Sequence, residues 1–401
     1  MDREINFHSI LALEKEIEEH ERAIIRLKRT RNSLLNVSTL LPPEVLGRIF
    51  SWNAIPVEDF DGLPKGSYNF LLVCHRWFEV ALRTPELWSF WGNSMQDWAH
   101  RHARCKIAPV DLVFCGWATN VNHNLDDRLR TALQDRAARD AIRRVHLTGA
   151  DAGVLASIIS SIAAKEGEFR TNSMESLIIR NDDRNNSPDI STFFSRYHLQ
   201  KLKRLCLHEC PISSQDLLRS QTTALTTLEL TSSKLSPILS TSISQLLSIL
   251  SSTPFLQNLE LSLYSITDAD GDRSSIQVPL HHLKEIGLHG DFFPILRLLN
   301  QLELPGNMSN LTLVLSECSP SDLSRTLGPY LGERVRHRLS GSGLGLLVNH
   351  CPGGFSISMG DVCKRNHTEV VWLVDVLVYP SMQLEREEAD RLFFDFIAHI
   401  P

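Results

Sequence analysis

The chain has 401 residues, 42% of them hydrophobic and 22% charged, with a formal net charge of −6. That length predicts two or three folding units, and that composition excludes a disordered or fibrous chain. The mild acidity argues against nucleic acid as the main partner, because phosphate binding needs a concentrated basic face. No apolar run approaches the roughly 18 residues of a membrane span, and the charged start carries no signal-peptide core, so neither a membrane nor a secretory route is expected. The eight cysteines stand at positions 74, 105, 115, 206, 210, 318, 351 and 363 and form no CxxC pair. They read as reduced thiols of a cytoplasmic or nuclear protein.

The first region, residues 1–37, predicts a heptad helix. From about Ile5 to Asn36 it has no glycine or proline. Apolar residues recur at Ile10, Leu13, Ile17, Ile24, Leu27 and Leu34 in alternating steps of three and four, with His20 and Arg31 at the intervening seam positions. That is a short a/d coiled-coil pattern. Glu14, Glu16, Glu18, Glu19 and Glu21 fill its first half; Arg22, Arg26, Lys28, Arg29 and Arg31 fill its second. A parallel dimer would bring Glu16 against Glu21 of the other chain, so self-association through residues 5–36 is expected to be antiparallel. A single helix folded back on its own protein is the alternative.

The second region, residues 38–107, is expected to be a helical module rich in tryptophan. Six of the seven tryptophans stand at 52, 77, 88, 91, 98 and 117, most of them inside this region. Leu41-Pro42-Pro43-Glu44-Val45-Leu46-Gly47-Arg48-Ile49-Phe50 reads as a helix start, with prolines in the first turn and Glu44 at the positive end. A polar stretch with Pro56, Gly62, Pro64 and Gly66 predicts a loop. Phe70 to Leu82 then reads as a second amphipathic helix, closed by Thr84-Pro85-Glu86-Leu87-Trp88.

These segments carry a resemblance. LPPEVLGRIF, then LLVCHRW, then ALRTPELWS is similar to the F-box, and particularly to the F-box-like domain common in mushroom-forming fungi, over roughly 50 residues. The loop between Phe50 and Phe70 is longer and more polar than in a compact F-box.

The third region, residues 108–401, repeats an apolar strand pattern, L-x-x-L-x-L. Its copies start at Ile142, Met174, Leu202, Leu225, Leu256, Leu283 and Met308, spaced 32, 28, 23, 31, 27 and 25 residues apart. Those intervals bracket the leucine-rich-repeat range, with a different connector in each repeat. Ser240–Leu250 and Phe292–Leu299 read as helical connectors. One repeat cannot bury its leucines alone, so stacked neighbours are expected to lay parallel strands on one face of a curved solenoid. Alternation along each strand then turns Arg144, His146, Arg180, Arg204, His208, Glu229, Glu260, Glu285, His289 and Asn310 outward. That polar surface suits a bound protein segment; an ordinary solvated face is the alternative. Thr368–Val378 reads as a buried strand and Leu384–Ile400 as a helix, together capping the array.

No constellation asks for chemistry. His100, His102, Cys105 and Cys115 fit no common zinc spacing. Gly341, Gly343 and Gly345 predict a flexible loop with no phosphate-binding signature. Cys74 and His75 are adjacent on a helix and do not face each other. No cofactor, no metal and no enzymatic activity are expected.

The expected fold class is therefore α/β: a short coiled-coil helix, a helical F-box-like module and an irregular leucine-rich-repeat solenoid. The resemblance implies a substrate-recognition adaptor of an SCF-type cullin–RING ubiquitin ligase. Leu41, Pro42, Glu44, Val45, Leu46, Ile49, Val73, Cys74 and Trp77 would dock the Skp-type adaptor, and the repeat domain would hold an unknown protein substrate. Leu46→Asp is expected to abolish that docking. The rival is a non-catalytic scaffold in which the helices only cap the solenoid, with Trp88, Trp91 and Trp98 packed on its first repeats. A docking module leaves an apolar patch accessible; a cap buries it.

Overall fold

The computed structural model describes residues 2–35, 41–54, 68–92, 105, 108–114, 140–150, 152–163, 173–181, 188, 190–196, 199–220, 222–232, 242–264, 266, 277–305, 308–316, 344–351, 354–362 and 370–379. The chain divides into two compact units, Met1–Trp91 with Met95–Val110, and Gly92–Ser94 with Asp111–Pro401. Among the described residues no helix is long and apolar enough to cross a membrane.

The first unit opens with α1 (Asp2–Leu35), which has no helix breaker anywhere along its 34 residues. Helix α2 (Pro43–Ala54) starts as the sequence predicts, with Pro43 in the first position and Glu44 in the first turn. The Pro42 carbonyl accepts from the amides of Val45 and Leu46, both at 3.1 Å. Leu46, Gly47 and Phe50 face inward. A β-carbon at Gly47 would stand 2.8 Å from Thr84 Oγ1, so this close approach needs a glycine.

The second helix is shorter than its pattern. Tyr68–Leu72 forms a 3₁₀ turn, and α3 begins only at His75 and ends at Leu82 (His75–Leu82). Cys74 is fully extended at φ −160° and ψ 166°, which breaks the expected continuous helix in two. The apolar period runs through the break, because both pieces face one cluster. Phe50 stacks on Phe70 at 4.6 Å, and Phe50 packs against Trp77 at 5.0 Å. The Arg76 guanidinium donates to the Leu41 carbonyl at 2.6 Å. The two helices thus meet, while residues 55–67 between them lie outside the described set. A 3₁₀ turn (Pro85–Trp88) and strand β1 (Phe90–Gly92) follow.

The second unit is mixed α/β, built on a large sheet whose central strands are parallel. Its strands are β2 (Val110–Phe114), β3 (Ile142–Ala150), β4 (Ser176–Asn181), β5 (Arg204–His208), β6 (Thr227–Thr231), β7 (Asn258–Leu263), β9 (Glu285–Asp291), β11 (Asn310–Ser316), β12 (Leu344–Cys351), β13 (Gly354–Val362) and β14 (Val370–Tyr379). The spatial order is β2-β3-β4-β5-β6-β7-β9-β11-β14-β13-β12. Every neighbouring pair from β3 to β14 is parallel, and β13 and β12 then add antiparallel strands. A separate two-stranded ribbon joins β8 (Val278–Pro279) to β10 (Leu302–Glu303).

All seven copies of the repeated pattern lie on or just before a strand, and their register has no offset. Leu177, Leu205, Leu228, Leu259, Ile286 and Leu311 form one lateral row; Ile179, Leu207, Leu230, Leu261, Leu288 and Leu313 form the next. Met174, Leu202, Leu225, Leu256, Leu283 and Met308 precede the strands, and all three rows are buried. A matching polar ladder crosses the strand entrances. The carbonyls of Glu175, Lys203, Thr226, Gln257 and Lys284 each accept two amides from the next strand's entrance, beginning with Lys203 and Arg204 on Glu175 at 2.8 and 3.1 Å. Each repeat therefore satisfies the backbone of its neighbour as well as covering its leucines.

Helices α4 (Ala152–Ala163), α5 (Ser191–Arg196), α6 (Ser214–Arg219), α7 (Ile243–Ser251) and α8 (Phe292–Gln301) lie in the connectors. The last two match the expected connectors. Ser242 caps α7 in a reciprocal box with Gln245.

The strand expected at Thr368–Val378 is β14 (Val370–Tyr379), which lies parallel to β11 on one side and antiparallel to β13 on the other. Gly345 lies in β12 opposite Gly360, where a flexible loop was expected, because the strand hydrogen bonds run through it. Gly341, Gly343, the helix at Leu384–Ile400, His100, His102 and Cys115 lie outside the described residues.

Candidate functional site

The open face of the parallel sheet carries the outward residues in three lateral rows. The first holds Arg144, Ser176, Arg204, Thr227, Asn258, Glu285 and Asn310. The second holds His146, Ile178, Cys206, Glu229, Glu260, Gly287 and Thr312. The third holds Thr148, Arg180, His208 and Thr231 on β3 to β6, with Ser262 and His289 facing each other on β7 and β9. Parallel neighbours sit about 4.8 Å apart, so side chains in one row touch.

Five of the ten expected residues converge. Arg180, His208, Glu229, Glu260 and His289 line a cleft of about 330 Å³ together with Cys206, Leu207, Thr231, Ser232 and Ser262. His208 Nδ1 lies 2.9 Å from Thr231 Oγ1. The Ser232 amide donates to Ser262 Oγ at 3.0 Å. Arg204 stands beside the cleft and reaches Glu229 at 3.6 Å. Glu260 lies 3.5 Å from His289 Nε2.

Burial dominates the electrostatics of the cleft. Burial pushes the Glu260 carboxyl above its ordinary range; the Glu229 charge adds to this, and Arg180 opposes it. Burial also pulls His289 below its ordinary value of 6.5. Burial thus disfavours the charged form of both partners in this contact. Burial raises the Cys206 thiol to about 12, which leaves it inert as a nucleophile. Among the described residues no group of three or more His, Cys, Asp or Glu is placed to hold a metal ion.

The other expected residues share the face but not the cleft. Arg144 and Glu285 are exposed; His146 and Asn310 are half-buried. Positive groups on β3 to β5 give way to acids on β6 to β9, as the sequence order predicts. Thr231, Ser232 and Ser262 were missed. The same alternation that selected Glu229 and Glu260 passes through Thr231 and Ser262, but small hydroxyls give no signal of their own. The Arg143–Asp111 fork was also missed. Its two bonds, at 3.0 and 2.7 Å, join residues of β3 and β2.

The helical module divides its expected contact residues by burial. Leu46 is 1% exposed and packs the interior with Phe50. Leu46→Asp would therefore test folding and not docking, which corrects the earlier expectation. Pro42, Glu44, Val45, Ile49 and Val73 are exposed; Leu41, Cys74 and Trp77 are half-buried. Trp52, Leu72 and Phe78 add three exposed apolar side chains that the motif did not single out. Val45, Ile49 and Trp52 follow the i, i+4, i+7 spacing of a single helix face. Trp88 and Trp91 are buried, and their indole nitrogens donate to the carbonyls of Ala81 and Trp88 at 2.9 and 3.1 Å. Trp98 lies outside the described residues. No protein-family model, curated protein or solved structure matches this chain.

Proposed function

We propose that this chain is a substrate-recognition adaptor of an SCF-type cullin–RING ubiquitin ligase. In this reading the first unit contains an F-box-like module and the second is an irregular leucine-rich-repeat solenoid. The observation that carries it is the exposed apolar surface on a folded helical module. Trp52 is 76% exposed, Leu72 86%, Val73 48% and Val45 42%, while Leu46, Phe50, Leu87 and Trp88 are buried. A small module that exposes tryptophan and leucine above a finished core is built to bury them against a partner. A Skp-type adaptor is the partner that the F-box resemblance names. The capping scaffold, which would hide these side chains, draws no support from their exposure.

The repeat reading rests on the zero-offset leucine rows and the recurring backbone ladder. The strand face, with the cleft between Arg180 and His289, would hold the protein substrate. The chain would catalyse nothing. Its contribution would be proximity, holding a substrate lysine near the charged conjugating enzyme of a cytoplasmic or nuclear ligase.

The test is co-expression of the full chain with a Skp-type adaptor and a cullin N-terminal domain. Stoichiometric recovery of the adaptor is expected, with at least tenfold weaker recovery for the surface double variant Ile49→Asp/Val73→Asp. A folded, soluble chain that recovers no adaptor would sink the ligase reading and leave the scaffold.

A further inference from the structure

The seam of α1 is open to solvent. Ile10, Leu13, Ile17, Ile24 and Leu27 are between 49% and 70% exposed. A helix of 34 residues, roughly 50 Å long, gains most of its stability in water from packing an apolar face, and this one leaves that face unpacked. Two of its intrahelical contacts are exposed i,i+4 pairs, Arg22 with Glu18 and His20 with Glu16, which contribute little.

Charge order selects the occupant of that face. With Ile10, Ile17, Ile24 and Arg31 at a positions and Leu13, His20 and Leu27 at d, the flanks carry Glu14, Glu21 and Lys28 at e and Glu16 at g. A parallel pair sets Glu16 of each chain against Glu21 of the other, and stacks Arg31 on Arg31 and His20 on His20. An antiparallel pair centred near Arg22 layers Leu13 with Arg31, Ile17 with Leu27 and His20 with Ile24. It sets Glu14 of each chain against Lys28 of the other and lays each acidic half along a basic half. Among the charged flanking residues only Glu21 meets its own copy.

We propose that α1 is a homodimerisation helix that pairs antiparallel with α1 of a second copy of this chain. The sequence of α1 is self-complementary only in that direction, so the face is satisfied by the chain itself. Two copies joined this way present two strand faces on one particle, which raises apparent affinity for a partner with two binding segments. This proposal does not depend on the ligase reading, since adaptor docking uses other helices.

The test is the mass of the full chain by light scattering across the micromolar range. The expected result is twice the 45.4 kDa of the monomer, and a monomeric mass throughout overturns the proposal. Ile17→Asp is expected to give monomers with an unchanged melting profile for the rest of the chain, because the side chain is exposed; a variant that stays dimeric places the interface elsewhere and overturns it. Direction is read from a charge swap. Glu14→Lys alone should raise the dissociation constant on the order of tenfold, and Glu14→Lys/Lys28→Glu should restore it. Failure of the double variant to recover overturns the antiparallel arrangement.

Discussion

His289 and Glu260 touch, yet burial moves their titrations in opposite directions. His289 is held below 6.5 in the folded chain. A depressed folded value means that its contribution to stability is present above 6.5 and is lost as pH falls through the folded value. The melting temperature of the wild type is therefore expected to fall as pH drops below 6.5, and that of His289→Gln to fall less. Glu260 is raised, so its contribution is complete below 4.5 and lost as pH rises through the folded value. Glu260→Gln should accordingly gain stability over the wild type towards neutral pH. Thermal melts of the three proteins over one pH series check both signs. Cys206 and Cys210, each raised to about 12 by burial, should resist alkylation in the native chain, as read by peptide mass mapping.

The strands carry the buried leucine rows. Leu228 is fully buried in the middle of a lateral row, and Leu228→Ala is expected to cost about 2–5 kcal/mol in a denaturant titration. Ser242→Ala removes one half of a capping box and should cost about 1 kcal/mol. The difference follows from what each replaces: a cavity cannot be filled by water, whereas an exposed helix amide can be. Gly290 is a special position, with φ +147° and a β-carbon that would stand 2.8 Å from the backbone of Leu263. Gly290→Ala should destabilise by roughly 1–3 kcal/mol, because neither the dihedral nor the neighbouring strand can give. On α2, burying a charge at Leu46→Asp should unfold the helical module, whereas Ile49→Asp, at a surface residue, should leave its circular dichroism unchanged.

At the scale of the molecule, the first unit holds an aromatic cluster of Phe50, Phe70 and Trp77, and the second holds a set of stacked leucine rows. Separate cores predict separate responses. Gly290→Ala should lower hydrogen-exchange protection in the second unit and leave α2 and α3 unchanged, and Leu46→Asp should do the reverse. Protection lost in both units from either substitution would mean one cooperative core.

The repeat array was legible in the sequence because its signal is local and redundant. A leucine pair at fixed spacing, seen seven times, gives both the strands and the lateral rows, since parallel stacking of identical patterns has one register that buries them all. The same register picked out Arg180, His208, Glu229, Glu260 and His289 before any distance was available. The helix of α1 was legible because an unbroken run without glycine or proline permits it. The break at Cys74 was not, since the apolar period is identical for one helix or two pieces facing one cluster. Nor was the burial of Leu46, because a helix face shows which residues are apolar and not which of them meet a core. Tertiary structure decided that division, along with the lateral neighbours of Glu260 and the strand pairings of β12 to β14. Those outcomes depend on contacts between residues far apart in the chain, whose energies no local pattern contains.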